Sequence, residues 1–273
     1  MKRFILACTA LVGSMGLAAA ADLPSSKGAP MAPVYTPAFT WTGFYIGLNA
    51  GYAFGQGGSS SFYPATGGFG GLPAGLAPWG SYNTKVDGFT GGGQIGYNWQ
   101  TGNFVLGLEA DINYVDGKKT ASSVYSILGV STVAALRSEL NYLGTVRARL
   151  GYAAMPNLML YLTGGLAYGD VSNSSVWAFN LAGAPGFYGT GGTTKVGWTV
   201  GAGAEYGFTR NITAKLEYLY YDLGSSSHLG TPNFALGAGL ATGASFTNKG
   251  SIVRAGINYK FDFGGPSSVV AKY

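Results

Sequence analysis

The chain has 273 residues, of which 47 are glycine; 14% are aromatic and only 10% charged. An average soluble domain carries about 25% charged residues and roughly 7% glycine. Glycine without a G-X-Y period excludes collagen, and 19 Tyr with 15 Phe exclude general disorder. Setting Lys2 and Arg3 aside leaves 14 basic against 11 acidic residues, too weak and scattered a surplus for a nucleic-acid surface.

Residues 1–21 read as a secretory signal peptide: Lys2 and Arg3, an apolar run from Phe4 to Leu17, and Ala18 to Ala21 as the small-residue cleavage site before Asp22. The one cysteine, Cys8, lies inside it, so the exported chain is expected to have no disulfide, Cys-based metal site or Cys nucleophile. Residues 22–40, with Pro24, Pro30, Pro33 and Pro37, form a Pro/Ala-rich periplasmic N-terminal segment. Downstream, no run reaches 18 purely apolar residues; Leu150 to Gly169 is broken by Pro156 and Gly164-Gly165.

From Trp41 onward the pattern has period two. Over Thr42–Phe54, Phe44, Ile46, Leu48, Ala50 and Tyr52 face one way, and Tyr45, Gly47, Asn49 and Gly51 the other. The alternation recurs over Phe89–Trp99, Phe104–Tyr114, Glu139–Tyr152, Leu158–Tyr168, Val196–Phe208, Ile212–Tyr221 and Ser251–Phe261. Over Glu139–Tyr152, Leu140 and Tyr142 belong to the apolar face. Eight strands of roughly 9–11 residues match what a tilted strand needs to cross a bilayer.

Short connections (100–103, 153–157, 209–211) alternate with long Gly/Ser-rich ones (55–85, 115–138, 170–194, 222–250). Strict alternation is the habit of an outer-membrane barrel, with short periplasmic turns and long outer loops. The predicted fold is all-β: an eight-stranded antiparallel transmembrane up-and-down β-barrel over 41–261, with four long extracellular loops. Residues 262–273 form a tail; the alternative closes the barrel with Tyr273 as the terminal aromatic.

Ten charges fall on the polar face: Glu109, Asp111, Glu139, Arg147, Arg149, Glu205, Lys215, Glu217, Arg254 and Lys260. Arg or Lys facing lipid costs about 2–4 kcal/mol at mid-bilayer, so these residues are expected to pair in the lumen. The outward aromatics sort into two girdles at headgroup level. Trp41, Phe44, Trp99, Tyr152, Phe208, Tyr259 and Phe261 fall at the periplasmic end, and Tyr114, Tyr142, Tyr168, Trp198, Tyr218 and Tyr220 at the outer end.

Several blocks resemble a known family: Ala-Asp-Leu-Pro (21–24), Phe-Thr-Trp-Thr-Gly-Phe-Tyr-Ile-Gly-Leu-Asn-Ala-Gly-Tyr (39–52), Gly-Thr-Val-Arg-Ala-Arg-Leu-Gly-Tyr (144–152) and Ile-Asn-Tyr-Lys-Phe (257–261). They look like alphaproteobacterial outer-membrane proteins of the RopB-like, outer membrane immunogenic, porin-family group, similar to opacity proteins and the OmpA barrel. The resemblance covers essentially the whole exported chain. It implies a Gram-negative outer-membrane location and a role in envelope integrity and host contact, with no catalytic residues to carry over.

Three functions follow from the residues. A closed structural or interaction barrel is the first, its lumen filled by the charges and by Tyr45, Tyr161 and Tyr221. A small-solute pore is the alternative, favoured by the small lumen residues Gly47, Gly92, Gly96, Gly201 and Gly203. A membrane-embedded lipid hydrolase would rest on His228 alone, the single histidine, which is expected in the last long loop beside Ser225 to Ser227. No cofactor or metal is expected, since one imidazole makes no metal site. The expected partners are outer-membrane lipid and lipopolysaccharide, the barrel assembly machinery, and host or surface ligands of the loops, but not nucleic acid.

Overall fold

The computed structural model describes residues 39–55, 59–66, 81–83, 85–127, 130–179, 186–232 and 241–261. The predicted signal peptide, residues 22–38 and the tail 262–273 lie outside the described residues. No helix occurs among the described residues; ten strands do: β1 Gly43–Gly55, β2 Ser59–Thr66, β3 Ser81–Asn83, β4 Gly88–Thr101, β5 Phe104–Ile127, β6 Val130–Met155, β7 Leu158–Phe179, β8 Gly186–Gly207, β9 Ile212–Pro232 and β10 Ala241–Lys260. Neighbours pair antiparallel in the order β1-β4-β5-β6-β7-β8-β9-β10. β10 returns to β1 from Tyr45↔Lys260 to Gly55↔Gly250, which makes an eight-stranded ring with no free edge. Beyond β1, β2 pairs with the outer part of β10 and β3 with β2, so the wall continues where β1 and β4 stop.

Each strand's alternation sets its faces. On β5, Val105, Glu109, Asp111, Asn113 and Val115 are buried, while Phe104, Leu106, Leu108, Ile112 and Tyr114 are exposed. Around the ring Leu48, Phe89, Leu108, Leu162, Leu166, Leu216 and Ile257 are each at least 60% exposed, a continuous apolar band with no protein cover. Such a band is foreign to a water-soluble monomer and is what a hydrocarbon-facing barrel wall presents.

Three short turns join strands at one end. Gly102 takes φ +60°, a left-handed conformation that glycine adopts without a Cβ clash. In the turn before β9, Thr209 Oγ1 accepts from the backbone N–H groups of Asn211 (3.3 Å) and Ile212 (3.0 Å).

At the other end the strands exceed the sequence-based expectation. β5 to β10 run 20–26 residues, so the segments 115–138, 170–194 and 222–250, expected as loops, are largely strand. The expectation failed because the outer solvent changes. Within the membrane apolar side chains point out and polar ones in; beyond it the wall faces water and the preference reverses. On β7 Trp177 is buried while Ser172 and Ser174 lie on the outer face. The facing shifts at Leu140/Tyr142 on β6 and between Asp222 and Ser225 on β9, where Gly224 takes φ +75°, while β5 and β10 keep their parity. A bulge adds a residue to one strand and shifts its facing by one position.

Candidate functional site

The lumen is filled in layers. At the turn end, Trp41, Val105, Ala153, Met159 and Tyr161 form a buried apolar cluster with Phe39 against it. Toward the outside, Ala53, Val115, Leu140, Leu143, Ala167, Val171, Leu219, Tyr221, Leu223 and Ile252 form a second. Between them lie four carboxylates and four cations whose side chains are at most 3% exposed.

Strand register builds this middle layer. Glu109 lies opposite Arg147, and Glu205 opposite Lys215, across adjacent strands. Lys215 Nζ donates to both Glu109 oxygens at 2.8 Å, and Arg147 donates to Glu109, to Asp111 (2.9 Å) and to Glu217 (3.0 Å). Arg254 Nε donates to Glu217 at 2.7 Å, and its two terminal nitrogens to Asp111 at 3.2 and 3.1 Å. Arg149 donates to Glu205 at 2.7 Å, and Thr213 and Asn258 supply two further donors to that carboxylate. A buried ion pair is tolerable only when its remaining hydrogen-bond positions are filled; here polar neighbours fill most of them, Arg149 Nε being buried without a hydrogen-bond partner.

Two tyrosines complete the layer, and glycines make room for them. The ring of Tyr45 lies against Gly96 and that of Tyr161 against Gly203, so a methyl group at either glycine would strike the ring. The rings thus lie along the wall, with Tyr45 Oη donating to Glu109 (2.7 Å) and Tyr161 Oη to Glu217 (3.1 Å). Arg149 stacks on Tyr161 at 3.9 Å. Gly47 and Gly92 face polar side chains, and Gly201 faces Leu219. Neighbouring side chains therefore lie against the small lumen residues.

Two of the ten expected lumen charges stand apart from the central cluster. Glu139 is on the outer wall of β6, paired with Arg137, because the Leu140/Tyr142 bulge reverses the facing there. Leu140, expected outside, is buried inside for the same reason. Lys260 faces inward but lies at the turn end, apart from the central cluster, where Nζ donates to Thr40 O and sits 4.7 Å above the Phe39 ring. The other eight, Glu109, Asp111, Arg147, Arg149, Glu205, Lys215, Glu217 and Arg254, are brought together.

Of the aromatic positions, Trp99, Phe104, Tyr152, Phe208 and Tyr259 are exposed at the turn end, with Phe44 and Phe261 partly covered and 5.7 Å apart. At the outer end Tyr114, Trp198 and Tyr218 are exposed, and Tyr142, Tyr168 and Tyr220 half-buried. The Tyr168 ring covers Gly144, its cross-strand partner. Trp41 departs from its expected belt: it is 1% exposed, inside the barrel mouth. Trp41 shares the odd parity of Tyr45, Gly47 and Asn49, so the alternation carried back from β1 places it on the inner face. Trp41 N–H donates to Gln100 Oε1 (2.8 Å), and its ring meets Phe39 edge-on at 4.8 Å.

His228 is not in a loop but on β9, half-buried above the membrane-spanning part of the strand. Its Nε2 lies 3.2 Å from Ser175 Oγ and its ring stacks on Phe246. Burial pushes the imidazole below its ordinary value near 6.5. No carboxylate stands behind it among its described partners, which a Ser-His nucleophile would need as an orienter. Among the described residues no group of His, Cys, Asp and Glu is arranged to hold a metal ion.

A closed antiparallel ring with an apolar exterior, aromatic belts and polar groups turned inward defines an integral β-barrel of the Gram-negative outer membrane. Residues 6–261 match the family model for the outer membrane protein beta-barrel domain, and the chain belongs to that family. It is 41% identical over 263 residues to the 31 kDa outer-membrane immunogenic protein of Brucella melitensis, covering 96% of this chain and all of the relative. It is 35% identical to the 22 kDa outer membrane protein of Rhizobium leguminosarum, covering 72% and 71%. Among solved structures it is similar to OprG from Pseudomonas aeruginosa (12% identity, 82% of this chain and 98% of that one, TM-score 0.45) and to Neisserial surface protein A (15%, 81% and 98%, TM-score 0.38).

Proposed function

We propose that this protein is a closed structural and display barrel, anchored in the outer membrane and presenting its outer segments to the surroundings. The observation that carries this reading is the middle layer: eight buried charges pair with one another in the lumen, between two apolar layers. An eight-stranded ring is just wide enough for its own side chains. The belts contact outer-membrane lipid and lipopolysaccharide, the assembly machinery inserts the barrel, and host or environmental ligands meet the outer segments. The name of the Brucella relative, an immunogenic outer-membrane protein, supports exposure at the surface. A non-enzymatic role is part of this reading: among the described residues no carboxylate stands beside Ser175 and His228 to orient a nucleophile. Refolded protein in a planar bilayer is expected to give no single-channel steps; reproducible steps from the unmodified chain would overturn the closed reading in favour of a small-solute pore.

A further inference from the structure

Among the described residues the outer wall has two long stretches without a ladder, one along β5 beyond Val115 on its β4 side and one, a seam, between β8 and β9. From Trp198↔Asp222 inward, β8 and β9 pair residue by residue, and at their far ends Phe187↔Pro232 and Tyr188↔Thr231 pair again. Between these points no ladder pair joins residues 189–197 of β8 to residues 223–230 of β9. The bulges at β5–β6, β6–β7 and β9–β10 skip only one or two residues. In the seam region each strand remains paired on its other side, β8 to β7 and β9 to β10. Backbone hydrogen bonds thus do not hold β8 to β9 there.

A side chain does so instead. His228 projects inward from β9 toward Gly189 and Gly191 of β8, where a Cβ at Gly189 would fall 2.8 Å from its ring. The imidazole continues to Ser175 Oγ on β7 at 3.2 Å and lies 5.2 Å from the Phe246 ring on β10, 18° from parallel. One side chain therefore ties four strands across the gap in the ladder. We propose that His228 is an acid-released latch for the β8–β9 seam, closed when the imidazole is neutral and opening the outer barrel wall sideways when it is protonated.

The surroundings favour the neutral ring. The inward neighbours are Asn173, Ser175 and Trp177 on β7, Gly189 and Gly191 on β8, and Ala244 and Phe246 on β10. No charged side chain faces the ring from these strands. The nearest along each, Asp170 on β7, Lys195 on β8, Asp222 on β9 and Lys249 on β10, are three or more residues away, and the last pairs with Asp222 at 3.0 Å. Burial without a carboxylate lowers the ring's proton affinity in the closed wall. The open, hydrated state then binds more protons below about pH 6.5, the ordinary histidine value. Stability of the closed seam is accordingly full above that pH and falls as pH drops toward the lowered value of the closed state. The seam ends at Trp198 and Asp222 by the outer aromatic belt, so opening exposes the interior lined by Trp177, Phe187 and Phe246 just above the bilayer.

The latch is testable because the chain has one histidine and one cysteine. With Cys8→Ser, spin labels at Thr190→Cys and Leu229→Cys flank the seam on its outer face, where both residues are exposed. Dipolar broadening is expected at pH 7.5 and its loss at pH 5, with broadening kept at both pH values when His228→Phe is added. Heat-dependent gel mobility of each variant verifies that the barrel has formed. Equal broadening at both pH values with His228 present would overturn the proposal, as would acid-induced loss that persists in the His228→Phe protein. Neither outcome bears on conductance, and the closed reading of the lumen stands or falls separately.

Discussion

Arg147 is the residue on which the middle layer turns, because it donates to Glu109, Asp111 and Glu217 at once with its own side chain fully enclosed. Removing it by Arg147→Leu leaves three carboxylates short of a cation in a medium of low dielectric, at a cost of about 3–5 kcal/mol. Urea unfolding from bilayers should show that loss, and adding Glu217→Gln should recover part of it, since one orphaned negative charge is removed with the cation. A loss below about 1 kcal/mol for the single variant would mean that the layer is hydrated and screened. These eight positions were legible from strand parity alone, since burying charge in lipid is so costly that the inward face follows from composition. Glu139 was not, because parity carries only along an unbroken strand and a bulge intervenes at Leu140/Tyr142; Trp41 shares the odd, inward parity of Tyr45 and Asn49, and only its aromatic character points to a belt.

At the scale of the element, the described residues just before β1 belong to the lumen. Residues 39–41 cross the barrel mouth, and Trp41 packs on Val105, Ala153 and Met159 from β5, β6 and β7, strands that are not neighbours of β1. Trp41→Ala should therefore behave as a core truncation and cost about 3–5 kcal/mol. Trp99→Ala, on the lipid face and 60% exposed, should cost clearly less. Parallel unfolding of the two variants separates them, and equal losses would return Trp41 to the interfacial belt. The outer halves of β5 to β10 were the least legible elements. Their apolar residues turn inward where the lower halves turn theirs outward, so a single parity rule carried along the chain finds no pattern and reads a loop. The Gly and Ser content of 170–194 and 222–250 reinforces that reading, although here it belongs to strands with water on one side.

For the whole molecule the proposed closed lumen amounts to three seals in series, and this bears on what a single substitution can open. The residues of the outer apolar layer, Val115, Leu143, Leu219 and Ile252 among them, are each at most 2% exposed, as are Trp41, Val105 and Met159 at the other end. An ion admitted to the charged layer would still have to cross an apolar layer on either side, and a charge taken from water into such surroundings costs several kcal/mol even after relaxation. Arg147→Ala should therefore weaken the fold without creating a channel: its unfolding midpoint falls, while planar-bilayer traces remain without steps. Conductance should appear only when the apolar layers are thinned as well, for example by Trp41→Ala with Leu143→Ala and Leu219→Ala in the same chain. Steps from Arg147→Ala alone would show that the charged layer is the only barrier and that the flanking residues pack too loosely to exclude water. Silence from the combined variant, provided it still shows the heat-dependent mobility of a folded barrel, would place the barrier in the width of the ring itself. An eight-stranded wall is narrow enough for backbone and remaining side chains to block ions without any of the three layers.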